Sequence, residues 1–196
     1  MIIVGITGGI GSGKTTIAKH LNALGVPLYV ADDEAKALMN RSKVIRRKLT
    51  AIFGENAYKN DELNRTFLAK KIFADKSMLA KMNAIVHPKV ASHFKRWLKK
   101  QKAPYILKEA AIIFENGLQD NYDYIITVVA DKDLRIERLL KRDNSNKEKI
   151  LAIINNQWPD SKKMEQSDFV ITNNNLNSAL LDAEKIHQKI LKLSSK

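Results

Sequence analysis

Residues 8–15 read Gly8-Gly9-Ile10-Gly11-Ser12-Gly13-Lys14-Thr15, which is a complete G-x-x-x-x-G-K-[ST] phosphate-binding loop. The apolar run 2–6 precedes it and predicts a buried strand, and residues 16–21 follow it and predict the start of a helix. A strand, a glycine turn and a helix in this order present backbone N–H groups at the positive end of the helix. The stretch therefore predicts a nucleoside triphosphate site, because a chance glycine-rich turn would lack these flanking elements.

The loop residues also predict how the nucleotide is held. Lys14 is expected to reach the β- and γ-phosphates, and the Thr15 hydroxyl is expected to ligate Mg²⁺. The glycines leave space for the backbone to curl around a phosphate. With ATP and Mg²⁺ as the expected ligands, the predicted nucleotide-binding residues are Gly8, Gly11, Ser12, Gly13, Lys14, Thr15, Thr16 and Arg138.

Composition limits the classes of protein that fit this chain of 196 residues. It has no cysteine, which excludes disulfides and thiolate metal sites. No apolar stretch approaches the ~20 residues of a membrane span and no signal-peptide pattern opens the chain, so we expect a cytoplasmic protein with no membrane partner. The formal net charge of +13 fits nucleic acid or small polyanionic substrates. No RNA-binding aromatic motif accompanies the basic residues, which favours phosphorylated small molecules over nucleic acid; a monomer is expected, with an oligomer left open.

Five short apolar runs predict one parallel sheet. Helical patterns alternate with most of them, which is typical of α/β proteins with buried strands. The runs are Ile2–Ile6, Leu28–Ala31, Tyr105–Leu107, Tyr124–Val129 and Phe169–Thr172. Residues 41–102 show helical spacing, a turn at 59–61 and no convincing strand. We therefore predict a P-loop kinase fold: a core of residues 1–40 and 103–196 with flanking helices, and an inserted helical acceptor domain, residues 41–102.

Acidic residues at the ends of two predicted strands are candidates for chemistry. Asp32 and Asp33 follow the second run, where a carboxylate can accept the proton of an acceptor hydroxyl. Capping of the next helix is an equally good interpretation of either aspartate. Glu109 closes the third strand and is expected to hold Mg²⁺ through water or to orient the acceptor. The chain has no N-K-x-D tetrapeptide for guanine, so a small phosphotransferase fits better than a GTPase.

Two arginines in a later helical stretch suggest a phosphate clamp. Arg138 and Arg142 are four residues apart and so share one helix face. Two guanidinium groups on one face can bind a triphosphate and neutralise charge in the transition state. The alternative is a surface ion pair, for instance with Asp143 or Glu137, which is the commoner fate of an arginine on a helix. A polar turn at 143–146 then precedes a further predicted helix.

Several blocks of this sequence resemble dephospho-CoA kinases, in the same order and with similar spacing. The family typically has a D-x-D after the second strand, an L-N-x-x-x-H-P, a P-L-L-F-E and an R-x-x-x-R-D. The matching blocks here are Gly5–Thr15, Gly25–Asp32, Met82–Pro88, Ile112–Glu115, Arg138–Asp143, Gln157 and Asp168–Asn174. They extend from residue 5 to residue 174 and are far more specific together than the phosphate loop alone.

The resemblance implies a reaction and a set of roles. The γ-phosphoryl group of ATP would pass to the ribose 3′-hydroxyl of dephospho-CoA, giving CoA and ADP as the last step of coenzyme A biosynthesis. Asp32 matches the second aspartate of the D-x-D and would be the general base. Lys14 and Arg142 would stabilise the transferred phosphoryl group, and Thr15 would hold Mg²⁺. The insertion would bind the CoA side, and residues 143–166 would form a lid.

The chain departs from the family pattern at several positions. Val30 replaces the first aspartate of the D-x-D, and Asp33 is the obvious substitute. Where relatives place an arginine in the lid, Lys162 or Lys163 stands here, and a lysine makes a point contact rather than a fork. We expect His87-Pro88 to shape the helical domain, as a structural residue that fixes a helix end, and a contact with the acceptor is the alternative.

Two other functions fit parts of the same sequence. A related P-loop kinase would phosphorylate a nucleoside, a nucleotide or a shikimate-like acceptor, but the helical block 41–102 is not expected in a shikimate-type enzyme. An ATP-dependent RNA-binding protein would account for the net charge of +13, and its binding would weaken steeply with salt.

Overall fold

The computed structural model describes residues 1–75, 77–143 and 146–195, so residues 144 and 145 of the predicted polar turn lie outside the described part. The strands are β1 (Ile2–Thr7), β2 (Leu28–Val30), β3 (Tyr58–Lys59), β4 (Glu62–Leu63), β5 (Tyr105–Glu109), β6 (Tyr124–Val129) and β7 (Phe169–Thr172). The α-helices are α1 (Lys14–Ala23), α2 (Ala31–Arg41), α3 (Lys43–Phe53), α4 (Arg65–Ala74), α5 (Ser77–Leu98), α6 (Lys132–Asp143), α7 (Lys147–Asn155), α8 (Asp160–Glu165) and α9 (Leu176–Ser194). Among these described helices, none is both long and apolar enough to cross a bilayer.

Five strands form a parallel sheet in the order β2-β5-β1-β6-β7, which confirms the predicted α/β architecture. The apolar runs form strands because both faces of the sheet are covered and a buried strand accepts apolar side chains on either face. β1 lies in the centre, between β5 and β6. The next strand in the chain, β2, lies beyond β5, so the loop after β1 sits where the strand order reverses, which is where ligands bind in open α/β sheets.

Helices α1 and α9 pack on one face of this sheet. Ile17 and Leu21 of α1 and Ala183 and Ile190 of α9 are fully buried in one core with the strands. The apolar residues of α1 recur at helical spacing, which explains why this helix presents one side to the sheet. The core therefore fixes the helix whose first residue is Lys14.

The chain divides into two compact units. The first contains Met1–Val30 and Gln101–Lys196, and the second contains Ala31–Lys100. The second unit begins at Ala31, whereas the sequence placed the start of the insertion at residue 41. The reason is that α2 contributes Leu38 to the apolar core of the second unit, beside Ile45 and Leu49 of α3.

Two expectations about the second unit were wrong. The turn at 59–61 joins β3 and β4, a short antiparallel hairpin in a stretch where no strand was expected. Asn60 and Asp61 both have positive φ (50° and 64°), as a two-residue hairpin turn requires. His87-Pro88 does not end a helix, because α5 continues through both residues to Leu98. Proline removes one backbone N–H donor, and the helix tolerates this loss within its 22 residues.

Candidate active site

The phosphate loop joins β1 to α1 within the first unit. Gly13 precedes α1 with φ 91° and ψ 15°, and its carbonyl accepts the N–H groups of Thr16 and Ile17. A Cβ at Gly13 would overlap the side-chain amide of Asn173. Glycine is thus required here twice, for the left-handed backbone and for the close approach of Asn173.

Asn173, directly after β7, links the loop to the last strand. Its side-chain Nδ2 donates to the backbone carbonyl of Ser12 at 2.8 Å, and its backbone carbonyl accepts from Arg138 Nη2 at 2.9 Å. In the described part of the chain, the Ser12 Oγ, the Asn173 Oδ1 and the Arg138 Nη1 are buried without a hydrogen-bond partner. Buried polar atoms are rarely left unpaired in a folded protein, so this cluster is suited to a polar ligand.

Thr15 and Glu109 meet beside the loop. Thr15 Oγ1 donates to Glu109 Oε1 at 2.6 Å, and Glu109 is only 5% exposed. The second carboxylate oxygen of Glu109 is buried and has no hydrogen-bond partner in the described structure. The described residues contain no group of three or more His, Cys, Asp or Glu side chains suited to a metal. Two oxygen donors fit Mg²⁺, which usually takes its remaining ligands from phosphates and water.

A second set of contacts holds the loop at Ile10, and the sequence did not predict it. The Ile10 N–H donates to Gln157 Oε1 at 2.8 Å, and the Ile10 carbonyl accepts from Arg135 Nε at 2.8 Å. Arg135 Nη1 pairs with Asp160 at 2.9 Å, and Arg135 is 5% exposed. A sequence signal existed, because Arg135 lies three residues before Arg138, on the same face of α6.

The two predicted clamp arginines have different partners. Arg138 supports the loop through Asn173. Arg142, whose side chain is 66% exposed, forms a two-point ion pair with Asp143 at 2.6 and 2.7 Å. This hydrogen-bonded pairing raises the pKa of Arg142 and lowers the pKa of Asp143. The surface pair foreseen as the alternative is therefore present at Arg142, and Glu137 pairs with Lys141 instead.

The two candidate aspartates lie in the second unit, in the first turn of α2. Because α2 begins at Ala31, neither occupies the capping position, although acidic residues in a first turn favour a helix. Asp33 forms an exposed ion pair with Lys36 at 2.9 Å. The Asp32 carboxylate is exposed and has no ion pair or hydrogen bond to another described residue.

Both lysines considered as lid cations are engaged within the first unit. Lys163 is fully buried, with Nζ 2.7 Å from Glu115 Oε1, in an ion pair that lacks aligned hydrogen-bond geometry. The same carboxylate oxygen accepts a hydrogen bond from the backbone N–H of Trp158 at 3.0 Å. The Lys162 ammonium lies over the Trp158 ring, 3.5 Å from its centroid.

Comparison with known proteins gives consistent results. A family model described as dephospho-CoA kinase matches residues 2–178. A dephospho-CoA kinase of Bacteroides fragilis is 40% identical over 173 residues, which covers 88% of this chain and 84% of the relative. The crystal structure of a Thermus thermophilus protein superposes with a TM-score of 0.88 at 30% identity, covering 96% of each chain. A dephospho-CoA kinase from Campylobacter jejuni has a TM-score of 0.71 at 25% identity, covering 97% of each chain.

Proposed function

Because the chain belongs to the dephospho-CoA kinase family, we propose specific roles for its own residues in the reaction of that family. The protein is a kinase of coenzyme A biosynthesis, with ATP and dephospho-CoA as small-molecule substrates. The observation that best supports the assignment of roles is the hydrogen bond from Thr15, in a complete phosphate loop, to Glu109. Glu109 is buried, and its second carboxylate oxygen has no hydrogen-bond partner among the described residues.

The phosphate loop binds and orients the triphosphate of ATP. Its backbone N–H groups and the N-terminus of α1 supply positive potential without a mobile charge. Lys14 adds a full charge, which we place on the β- and γ-phosphates. Such fixed donors stabilise the charge that spreads over the γ-phosphoryl oxygens as transfer proceeds.

Asp32 is assigned as the general base. The ribose 3′-oxygen of dephospho-CoA attacks the γ-phosphorus, the bond to the β,γ-bridging oxygen breaks, and the hydroxyl proton passes to the Asp32 carboxylate. ADP leaves with the bonding electron pair. An exposed carboxylate with no described protein partner suits this role better than Asp33, which already pairs with Lys36.

Thr15 and Glu109 are assigned to Mg²⁺. A bound Mg²⁺ would neutralise part of the charge on the phosphates. The protein contributes the hydroxyl and the carboxylate as oxygen donors, and the pairing between them orients both side chains.

Arg142, at the end of α6, is assigned to the transferred phosphoryl group. Residues 143–166, which follow it, are assigned to a lid. To contact the phosphoryl group, the Arg142 guanidinium must exchange Asp143 for phosphate oxygens. An exposed ion pair is worth little, so this exchange is energetically accessible. The second unit, Ala31–Lys100, is assigned to the CoA side of the acceptor.

The test is a coupled ADP-release assay with Mg·ATP, with and without dephospho-CoA. Turnover should require dephospho-CoA, and Asp32→Asn should lower kcat by about 10²–10⁴-fold while ADP binding stays intact. Asp33→Asn should retain most of the activity. An equal loss of kcat in Asp32→Asn and Asp33→Asn would reject Asp32 as the base. ADP release at the same rate with and without dephospho-CoA would reject the assigned acceptor.

A further inference from the structure

Two successive peptide groups of the phosphate loop are held from outside the loop. The Gly9–Ile10 peptide donates its N–H to Gln157 Oε1, and its carbonyl, on Gly9, accepts the Ser12 N–H at 3.1 Å. The Ile10–Gly11 peptide accepts Arg135 Nε at its carbonyl. Because a trans peptide is planar with opposed N–H and C=O groups, this bond directs the Gly11 N–H away from Arg135.

Arg135 is itself held rigidly beneath the loop. It is 5% exposed, its Nη1 pairs with Asp160 at 2.9 Å, and its guanidinium lies so close to Gly9 that a Cβ there would overlap it. A planar guanidinium bonds the carbonyl through Nε and the carboxylate through Nη1, two nitrogens at a fixed spacing, whereas a lysine has only one nitrogen for both. The Ile10 contacts therefore depend on side chains from α6 and from the segment that joins α7 to α8.

We propose that Gln157 and Arg135 are positioning residues, which fix the phosphate loop in its nucleotide-binding shape by holding both polar backbone groups of Ile10. Neither side chain is assigned a contact with ATP. Gln157 acts on the Gly9–Ile10 peptide and Arg135 acts on the Ile10–Gly11 peptide. Donors that are held in place before the ligand arrives lose less entropy on binding. The inference rests on the proposed role of this loop in binding ATP.

The proposal predicts an effect confined to the nucleotide. Gln157→Met has similar length but lacks the amide oxygen, so the Ile10 N–H loses its acceptor. The Kd for Mg·ADP, measured by calorimetry, should rise about threefold to tenfold, as expected for one lost hydrogen bond. The KM for ATP should rise with it, while the KM for dephospho-CoA stays unchanged. Arg135→Lys, which keeps the charge and can still pair with Asp160, should act in the same direction.

Amide hydrogen exchange tests the mechanism directly. The Ile10 amide should exchange faster in Gln157→Met, whereas the Val4 amide in β1 should keep its protection. The matched control is Gln188→Met, at an exposed glutamine of α9, which should leave ADP binding and Ile10 exchange as in the wild type.

Unchanged ADP affinity and unchanged Ile10 exchange in a folded Gln157→Met protein would overturn the proposal. An equal loss in Gln188→Met, or an equal rise of both KM values, would also overturn it. The ADP titration does not involve the acceptor. A wild-type protein that fails to phosphorylate dephospho-CoA would therefore reject the proposed function and leave this comparison of ADP affinities intact.

Discussion

Thr15 Oγ1 donates a hydrogen bond to Glu109 Oε1 at 2.6 Å, which joins the first turn of α1 to the last residue of β5. The sheet register explains this contact. β1 pairs in parallel with β5 so that Ile6 lies opposite Glu109. The loop after β1 and the end of β5 therefore lie at the same edge of the sheet, although the two residues are 94 positions apart in the chain.

Replacing Glu109 should alter the requirement for Mg²⁺. Glu109→Gln keeps an oxygen that can accept from Thr15 but loses the negative charge. The Mg²⁺ concentration for half-maximal activity should rise about 10–100-fold, which is the usual effect of losing an oriented partner of a metal site. Glu165→Gln, at an exposed position of α8, is the control. Equal Mg²⁺ requirements in the wild type and Glu109→Gln would contradict the assignment.

Alanine substitution should separate backbone strain from steric clash at two glycines. Gly13 and Gly25 have φ values of 91° and 93°, but only the Cβ at Gly13 meets a neighbour, Asn173. Gly25→Ala should lower the free energy of unfolding by about 1–2 kcal/mol through the left-handed backbone alone. Gly13→Ala should lower it further and abolish ADP binding. Denaturant unfolding and calorimetry check both, and equal losses with ADP binding retained would be inconsistent with the clash.

The buried pair of Lys163 and Glu115 should be essential for stability. Lys163→Met leaves the Glu115 carboxylate without its cation, which should cost about 3–5 kcal/mol of unfolding free energy. The double variant Lys163→Met/Glu115→Gln should recover part of the loss because the buried charge is gone. Lys162→Met, next to it but on the Trp158 surface, should change little. A mild effect of Lys163→Met in urea unfolding would show that the pair is dispensable.

Stability should fall in mild acid because of His187. Burial lowers the pKa of His187 below its ordinary value of 6.5, against the opposing effect of Glu184 on the same helix. Its Nδ1 lies 2.7 Å from the Tyr105 hydroxyl of β5, and Glu184 also pairs with His20 of α1. The unfolded chain thus binds this proton at higher pH than the native protein does. The contribution of neutral His187 to the free energy of unfolding is therefore complete above pH 6.5 and decreases as the pH falls below it.

Thermal unfolding as a function of pH measures this effect. His187→Gln keeps a polar partner for Tyr105 but does not titrate, so its stability should vary less between pH 5 and 7, as roughly expected when one perturbed histidine is removed. His87→Gln, at an exposed position of α5, should keep the wild-type dependence. A wild-type pH dependence in His187→Gln would remove His187 as the cause.

The sequence predicted what local patterns determine. The glycine loop, the apolar strands and the acidic end of β5 are encoded in short stretches, and the sheet then brings Glu109 to Thr15. The supports of the loop are not encoded locally. Arg135 reaches Ile10 across 125 residues, and Asn173 reaches Ser12 across 161. Only the folded sheet, in which β6 lies between β1 and β7, together with the position of α6, places those side chains there.

Lysine positions show a second limit of sequence reasoning. Lys162 and Lys163 are adjacent and chemically identical, so a sequence pattern cannot say which one faces a ligand. In the structure, Lys163 is fully buried against Glu115, and Lys162 lies on the ring of Trp158. Burial, which depends on the whole fold, decides the role of each charge.

The most direct test of the proposed function follows the phosphoryl group itself. ATP labelled in its γ-phosphoryl group is incubated with the protein, Mg²⁺ and dephospho-CoA, and the labelled product is identified by chromatography and mass spectrometry. A dephospho-CoA kinase places the label on the ribose 3′-oxygen, in CoA, with unlabelled ADP as the other product. Label that stays in ATP, or that appears only as inorganic phosphate whether or not dephospho-CoA is present, would contradict it.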